Sequence, residues 1–266
     1  MKRYFPYVVI VFAFIVSQLL ACLVANSFHE EGYKVENPEN PSNIFIMLSS
    51  ILIFTSIILL ISKYREKIVK YIFFLFFFIA SISIFDAFFH FINRNYSYLL
   101  AIIFSLIMII LIIKYPKWYL VNIFGIFLAS GIIAIFSSLP IAYVIIILIA
   151  LAIYDFISVY KTKHMIKLAK SALSTNLPLL LIFPKRLRRK HGKRDAMYMG
   201  LGDIVIPGML ITASYINHGL IALIFTLCGA VAGLILLLLL VSRAPQPGLP
   251  FLNSGAIIGY AVFYFL

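Results

Sequence analysis

The chain has 266 residues, of which 64% are hydrophobic and only 12% are charged, and its mean hydropathy is +1.08. This composition excludes an ordinary water-soluble domain and indicates a protein that folds in a lipid bilayer. A formal charge of +13 suggests nucleic acid as a partner, but 11 of the 22 Lys and Arg residues lie in one segment, Lys161 to Arg194, between two apolar runs. Such a distribution is typical of membrane topology, so we expect no nucleic-acid partner.

Apolar runs of membrane-spanning length cover almost the whole chain. A spanning helix needs roughly 20 mostly apolar residues, and a chain in lipid must pair its backbone groups within helices or closed barrels. We therefore predict an all-α, polytopic membrane protein with one integrated membrane domain over residues 1–266, whose first run is retained as a span rather than removed as a signal peptide. The nine predicted spans are Pro6–Ala25, Ile44–Ser62, Tyr71–Phe91, Tyr98–Ile113, Trp118–Ser138, Pro140–Tyr160, Met197–Ile216, Leu220–Val241 and Pro247–Leu266. A long loop, residues 161–196, separates the first six spans from the last three.

The distribution of basic residues predicts the orientation of these spans. Cytoplasmic loops of membrane proteins are enriched in Lys and Arg. If the N-terminus is cytoplasmic, 20 of the 22 basic residues lie on the cytoplasmic side, and only Lys34 and Arg94 lie outside. We therefore expect a cytoplasmic N-terminus, a C-terminus outside, and a multi-pass protein of the cell membrane.

Three carboxylates lie within the predicted spans: Asp86, Asp155 and Asp203. A charged side chain at the middle of a bilayer costs about 2.5 to 3.5 kcal/mol on insertion scales, so each is a candidate functional residue. Along their helices, Asp155 lies about 9 Å from Lys161 and Asp203 about 12 Å from the cytoplasmic boundary, so in antiparallel spans the two would lie at similar depth. Asp86 lies in the outer part of the third span, where a hydrogen bond on its own helix face, with His90 one turn later, or a water-exposed helix end explains it.

A pair of carboxylates in a poorly hydrated site is suited to hydrolysis. The two groups cannot both ionise easily, so they share a proton and their titration belongs to the pair. The ionised member can draw a proton from an attacking water while the protonated member donates to the carbonyl oxygen of an amide, and no metal or other cofactor is needed. A proton or cation path of a transporter is the alternative, and the pair alone favours it, because membrane carboxylates more often belong to transport.

The second carboxylate ends the motif Gly200-Leu201-Gly202-Asp203. Each glycine in a helix costs about 1 kcal/mol relative to alanine, so the pair needs a compensating role. Glycine permits local unwinding and close approach of a second backbone, which a protease needs if an extended peptide is to reach its carboxylate. Tight helix packing through small residues is the alternative explanation.

Two further motifs complete a recognisable set: Tyr154-Asp155 in the sixth predicted span and Pro247-Gly248-Leu249-Pro250 at the start of the ninth. In its motifs and their order, the chain resembles a compact, archaeal-type member of the presenilin and signal peptide peptidase family of intramembrane aspartyl proteases. The resemblance implies that Asp155 and Asp203 are catalytic, and that their immediate setting consists of Tyr154, Gly200, Leu201 and Gly202. It also implies that the residues of the proline motif, Pro247, Gly248, Leu249 and Pro250, face the active site and bind substrate. The chain departs from the family at Gly248, where the family pattern has alanine.

The long loop contains two patterned segments. Residues Lys161 to Ala172 alternate apolar and lysine side chains at helical spacing, which predicts an amphipathic helix at the membrane surface. The apolar run Leu177 to Phe183 is too short to span a bilayer and is followed by Pro184, so we predict an extended segment. A substrate helix must unfold before its amides can be cleaved, so this segment is a candidate for pairing with the substrate as a strand, through Leu180, Leu181 and Ile182. The basic cluster Lys185 to Lys190 is expected to fix topology, with lipid headgroups as an alternative role.

These observations predict an intramembrane aspartic endopeptidase that acts on transmembrane peptides or proteins. The predicted orientation matches that of presenilin and implies substrates whose N-termini lie outside. Membrane lipids are expected contacts, and homo-oligomerisation stays open. The alternatives are a prepilin or preflagellin peptidase, which also uses a Gly-x-Gly-Asp site, a proton- or cation-coupled transporter, and a chaperone-like membrane scaffold.

Overall fold

A computed structural model describes residues 5–64, 66–90, 95–115, 117–162, 180–184, 196–241 and 246–266. Most of the predicted loop helix and the whole basic cluster Lys185 to Lys190 lie outside these residues. The helices are α1 (Phe5–Glu30), α2 (Ser42–Tyr64), α3 (Glu66–His90), α4 (Ser97–Lys114), α5 (Trp118–Phe136), α6 (Ile141–Ile157), α7 (Leu201–Val241) and α8 (Leu249–Phe265). A π-helical turn, Ser158–Thr162, continues α6, and two short strands are β1 (Leu180–Pro184) and β2 (Ala196–Gly200).

The described helices have the length and apolarity of membrane-spanning segments. Five of them (α1, α4, α5, α7, and α6 with its π-helical turn) are long and apolar enough to cross a bilayer, and shorter apolar helices lie in α2, α3 and α8. Large apolar side chains cover the outer surface, for example Phe12 at 66% exposure, Leu23 at 76% and Phe45 at 75%. A soluble protein would bury such a surface, so the helical, multi-pass membrane architecture is confirmed.

Helix α7 is interrupted at one residue, Gly219, whose φ of 79° and ψ of −162° are not helical. A positive φ with this ψ is accessible to glycine and strained for other residues. The break divides α7 into two arms, α7a (residues 201–218) and α7b (residues 220–241). A straight helix of this length would be about 60 Å long, twice the thickness of a bilayer core, so the break gives each arm a length suited to one crossing.

The start of the predicted seventh span is a correction to the sequence analysis. Residues Met197 to Gly200 belong to strand β2, and the helix begins only at Leu201. A short apolar run is compatible with either a strand or a buried helix, and here pairing with β1 prevails over the helical preference of methionine and alanine. Asp203 therefore lies in the first turn of its helix, not two turns inside it. The described fold is helical apart from this pair of strands.

Strand β1 lies at the position of the predicted extended segment and is fixed to α5 by two contacts. The strands pair antiparallel, with Ile182 opposite Tyr198. Asn122 of α5 donates its side-chain amide to the Ile182 carbonyl at 2.8 Å and accepts the Ile182 N–H at 2.7 Å. Leu181 packs so closely on Gly125 that a methyl group there would lie 2.5 Å from a Leu181 methyl carbon. The sheet is thus held against the helices rather than standing free at the surface.

Arm α7b packs on α8 through glycines at backbone contact distance. A methyl group on Gly229 would lie 2.2 Å from the Gly255 carbonyl oxygen, and one on Gly233 would lie 2.2 Å from the Phe251 carbonyl oxygen. Gly255 and Gly259 of α8 meet backbone atoms of α7b equally closely. Each helix contributes a Gly-x-x-x-Gly pair, a spacing that lets membrane helices approach closely and that the sequence analysis overlooked.

We predict that Gly255→Ala lowers the free energy of unfolding by about 1 to 3 kcal/mol, because the new methyl group would meet the Gly229 carbonyl oxygen at 2.3 Å and backbone cannot move aside as a side chain can. Thermal denaturation in detergent measures the loss. Ile258→Ala is the control, since Ile258 is on the same helix but 62% exposed. Equal melting temperatures for Gly255→Ala and the wild type would contradict the backbone contact.

Candidate active site

Asp155 lies in the last turn of α6, and its carboxylate is fixed by the start of α8. The residue is 5% exposed. The Leu249 N–H donates to the Asp155 Oδ2 atom at 3.1 Å, and the Gly248 N–H donates to the same carboxylate. Because Gly248 and Leu249 begin α8, these N–H groups have no carbonyl partner within their own helix. Asp155 therefore caps the N-terminus of a different helix.

Asp203 caps the N-terminus of its own helix. The Gly200 N–H, just before the first residue of α7, donates to the Asp203 carboxylate, and a methyl group on Gly200 would lie 3.3 Å from the Asp203 Oδ2 atom. A carboxylate three residues after the capping position commonly reaches back in this way. The change from strand to helix at Gly200 and Leu201 thus places the second carboxylate at a site where the chain supplies a donor.

The start of α8 brings the two carboxylates into one site. Gly248, whose N–H donates to Asp155, has its Cα so close to Asp203 that a methyl group on it would lie 2.8 Å from Oδ1 and 3.2 Å from Oδ2. The two carboxyl groups are also near enough to interact electrostatically. The carboxylates from the sixth and seventh predicted spans therefore both lie against the backbone of Gly248.

The other predicted site residues take different positions around this centre. Leu201 is buried, while Gly202 is exposed, and a methyl group on Gly202 would meet nothing nearer than an Ile206 carbon at 3.9 Å. Pro247 is buried and Tyr154 is half-buried. Leu180, Leu181 and Ile182 lie on β1, whose partner β2 leads through Gly200 directly into α7.

A groove of about 310 Å³ opens between α6 and α8 beside this centre. Ala152 and Phe156 of α6 line one side, and Pro250 and Ser254 of α8 line the other. Phe156 directly follows Asp155, and Pro250 directly follows Leu249. The groove is lined almost entirely by apolar side chains, so it suits an apolar segment that lies between α6 and α8.

The third intramembrane carboxylate, Asp86, does not belong to this centre. The Tyr33 hydroxyl, in the segment after α1, donates to Asp86. The His90 Nε2 atom lies 3.0 Å from the Glu31 Oε2 atom of the same region, so its described contact is not the one expected with Asp86 on its own helix. Burial and the contact with Asp86 raise the pKa of the Tyr33 hydroxyl, so it remains a donor at ordinary pH. Asp86 thus holds the segment after α1 against α3.

Two buried side-chain amides near the site were not among the predicted site residues. Asn122 holds β1, and Asn253 of α8 donates to the Leu148 carbonyl of α6 at 2.8 Å. Both residues stand in otherwise apolar runs, which is the signal that would have identified them. The described residues contain no group of three His, Cys, Asp or Glu side chains placed to hold a metal ion.

Comparison with known proteins identifies the family of the chain. The family model described as signal-peptide peptidase, presenilin aspartyl protease matches residues 11–266. The signal peptide peptidase of Mus musculus is 31% identical over 159 residues, which is 54% of this chain but only 40% of the length of the mouse protein.

Solved structures are similar over nearly the whole chain. A presenilin family intramembrane aspartate protease in the C222 space group has a TM-score of 0.73 and 26% identity, with 97% of each chain covered. A structure in the P2 space group, also of a presenilin family intramembrane aspartate protease, has the same TM-score and 28% identity, with 96% of each chain covered. The resemblance predicted from the motifs is confirmed: the chain belongs to the signal-peptide peptidase and presenilin family of intramembrane aspartyl proteases.

Proposed function

We propose that Asp155 and Asp203 are the catalytic pair with which this protein hydrolyses peptide bonds of transmembrane segments. The observation that carries the proposal is the meeting of both carboxyl groups at the start of α8, with Gly248 in contact with each. Family membership supports the reaction type, and the absence of other carboxylates beside the pair in the described residues supports the choice of these two.

The reaction uses one proton shared by the pair. The ionised carboxylate takes a proton from a water molecule as that water attacks the carbonyl carbon of the peptide bond, and the protonated carboxyl donates to the carbonyl oxygen. The resulting tetrahedral diol collapses when its C–N bond breaks: the leaving nitrogen takes a proton from one carboxyl group of the pair, and a diol hydroxyl gives its proton to the other carboxylate as the new carbonyl forms. A new carboxyl group and a new amine are formed, and the pair again holds one proton. The rate should therefore fall at both low and high pH, since each extreme removes the mixed protonation state.

We infer that the substrate pairs with the sheet along β2. In an antiparallel pair, alternate residues direct their backbone N–H and carbonyl groups away from the partner strand. At Ile182 both of these groups are hydrogen-bonded to the Asn122 side chain. The edge of β1 is thus covered at its centre, whereas β2 has a neighbouring strand on one side only in the described part of the chain. A strand added along β2 would run toward Gly200 and Asp203, so Leu180, Leu181 and Ile182 would support the substrate through β2.

The proposed topology has nine crossings, made by α1 to α6, the two arms of α7, and α8. The break at Gly219 supports the separation of α7 into two crossings. The excess of basic residues on one side supports a cytoplasmic N-terminus and a C-terminus outside, in the cell membrane. This orientation implies substrates whose N-termini lie outside. Protease treatment of intact cells that carry a tag at each terminus tests the assignment, and digestion of the N-terminal tag from the outside would overturn it.

We predict that Asp155→Asn and Asp203→Asn each reduce cleavage of a tagged transmembrane peptide by the purified protein at least a thousandfold, because an amide can neither share the proton nor activate water. Asp86→Asn is the matched control: it makes the same chemical change at the third intramembrane carboxylate, keeps an acceptor for Tyr33, and should cleave at the wild-type rate. Cleavage that survives in either catalytic variant would refute the assignment.

We predict that Gly248→Ala lowers kcat by on the order of ten- to a hundredfold, although it restores the family's usual residue, because the methyl group leaves no room for the Asp203 carboxylate in its present place. Gly202→Ala is the control for a methyl group added without a clash, since that group would meet nothing within 3.8 Å. Its melting temperature should equal that of the wild type. A wild-type kcat in Gly248→Ala would mean that the start of α8 does not press on Asp203 during catalysis.

We predict that N-methylation of a substrate peptide raises KM at every second backbone position near the cleaved bond, because residues of a strand direct alternate N–H groups toward the neighbouring strand. Peptides methylated at the intervening positions are the internal control. A uniform effect along the peptide, or none, would argue against pairing of the substrate with β2.

A further inference from the structure

Gln18 is a fully buried amide in the middle of α1, where it follows Ser17 in a mostly apolar stretch of that helix. An amide in an apolar interior costs free energy unless it is hydrogen-bonded. Its Nε2 atom donates to the Ile204 carbonyl oxygen at 3.1 Å, and its Oε1 atom has no partner among the described residues. Ile204 directly follows Asp203, so a buried polar group of α1 reaches the turn of α7 that carries the second carboxylate.

That turn of α7 lacks part of the usual helical support. Pro207 has no N–H, so the carbonyl of Asp203, four residues earlier, receives no hydrogen bond along the helix, and the proline ring crowds that carbonyl. A helix bends where this ladder is broken. The hydrogen bond from Gln18 to the next carbonyl, that of Ile204, supplies a donor from another helix at the weakened point.

The backbone of α7 is shaped to accept the Gln18 side chain. Gly208 lies one turn after Ile204, and a methyl group there would lie 2.5 Å from the Gln18 Oε1 atom. Both ends of the amide therefore contact α7, on either side of Pro207. A leucine or methionine would fill the same space without burying an amide, so packing alone does not account for glutamine at this position.

We propose that Gln18 is a positioning residue that holds the first turn of α7, and with it the Asp203 carboxylate, in place opposite Asp155. This inference rests on the proposed function, because it gives Gln18 a role in the reaction through Asp203. Gln18 itself touches neither carboxylate in the hydrogen bonds described.

The interface between α1 and α7 also contains a second polar contact, one turn away from Gln18, which provides a matched control. Cys22, four residues after Gln18, lies 3.5 Å from the Thr212 hydroxyl, which is four residues after Gly208. Both residues are buried, and Thr212 lies beyond Pro207 from Asp203. Thr212→Val removes a polar contact between the same two helices while leaving the first turn of α7 untouched.

The test compares the full-length wild type with Gln18→Leu, Gln18→Met and Thr212→Val, using a tagged transmembrane peptide as substrate. We expect kcat to fall about tenfold in both Gln18 variants, as for the loss of one buried hydrogen bond. KM and the melting temperature should stay close to the wild-type values, while the pH optimum of kcat should shift from that of the wild type. Thr212→Val should keep the wild-type kcat and pH profile. Wild-type kcat in Gln18→Met, or an equal loss of kcat in Thr212→Val, would overturn the proposal.

Hydrogen exchange gives a readout that does not depend on cleavage. Amides of residues 204–206 should exchange faster in Gln18→Met than in the wild type or in Thr212→Val, because the turn has lost its external donor. If the wild type did not cleave the peptide, the proposed function would fail while this measurement still reported on the turn. If both Gln18 variants lost the fold together with kcat, or exchange did not change, Gln18 would be a structural residue and the proposal would be wrong.

Discussion

The site depends on the placement of two carboxylates at two helix N-termini. The N-terminus of a helix has N–H groups without partners and a positive partial charge, so a carboxylate in a dry environment can be held there without a cationic side chain. Asp203 accepts from Gly200 at the start of its own helix, and Asp155 accepts from Gly248 and Leu249 at the start of α8. A lysine or arginine partner would bind a carboxylate more strongly, but it would favour ionisation of both acids and so oppose the proton sharing that the proposed mechanism requires.

The glycine seam of α7b and α8 makes this placement geometrically feasible. The chain leaves the site along α7a, turns at Gly219, and returns to it through α7b and the segment before α8. Because Gly229 and Gly255 are at backbone contact, α8 lies against α7b with little freedom to shift along or away from it. Tyr160 lies just after α6 and Gln246 just before α8, and the Tyr160 hydroxyl donates to the Gln246 side chain. This hydrogen bond joins the two helices at the ends that carry the site. Packing far from the carboxylates therefore determines how closely Gly248 approaches them.

Those parts of the molecule that follow from local physical rules could be predicted from the sequence. The cost of a carboxylate in lipid made Asp86, Asp155 and Asp203 candidates, the motifs favoured the last two as a pair, and the length of the apolar runs predicted most helices. Features that depend on a distant partner could not be predicted in this way. Strand β2 was assigned to a helix because its apolar residues fit both structures until β1 is beside it. The partner of Asp86 is Tyr33, more than 50 residues away, and nothing in the spacing around Asp86 indicates it.

Side-chain amides connect each element of the site to a neighbour. Asn253 of α8 donates to Leu148 of α6, two turns before Asp155 on that helix; Asn122 holds β1; and Gln18 donates to the carbonyl after Asp203. An amide forms directional hydrogen bonds in the apolar interior but carries no charge and does not titrate. It can therefore fix the backbone near two carboxylates without altering the field that they share. In the proposed mechanism the pair shares one proton, and neutral donors position the backbone without adding a charge that would change this proton balance.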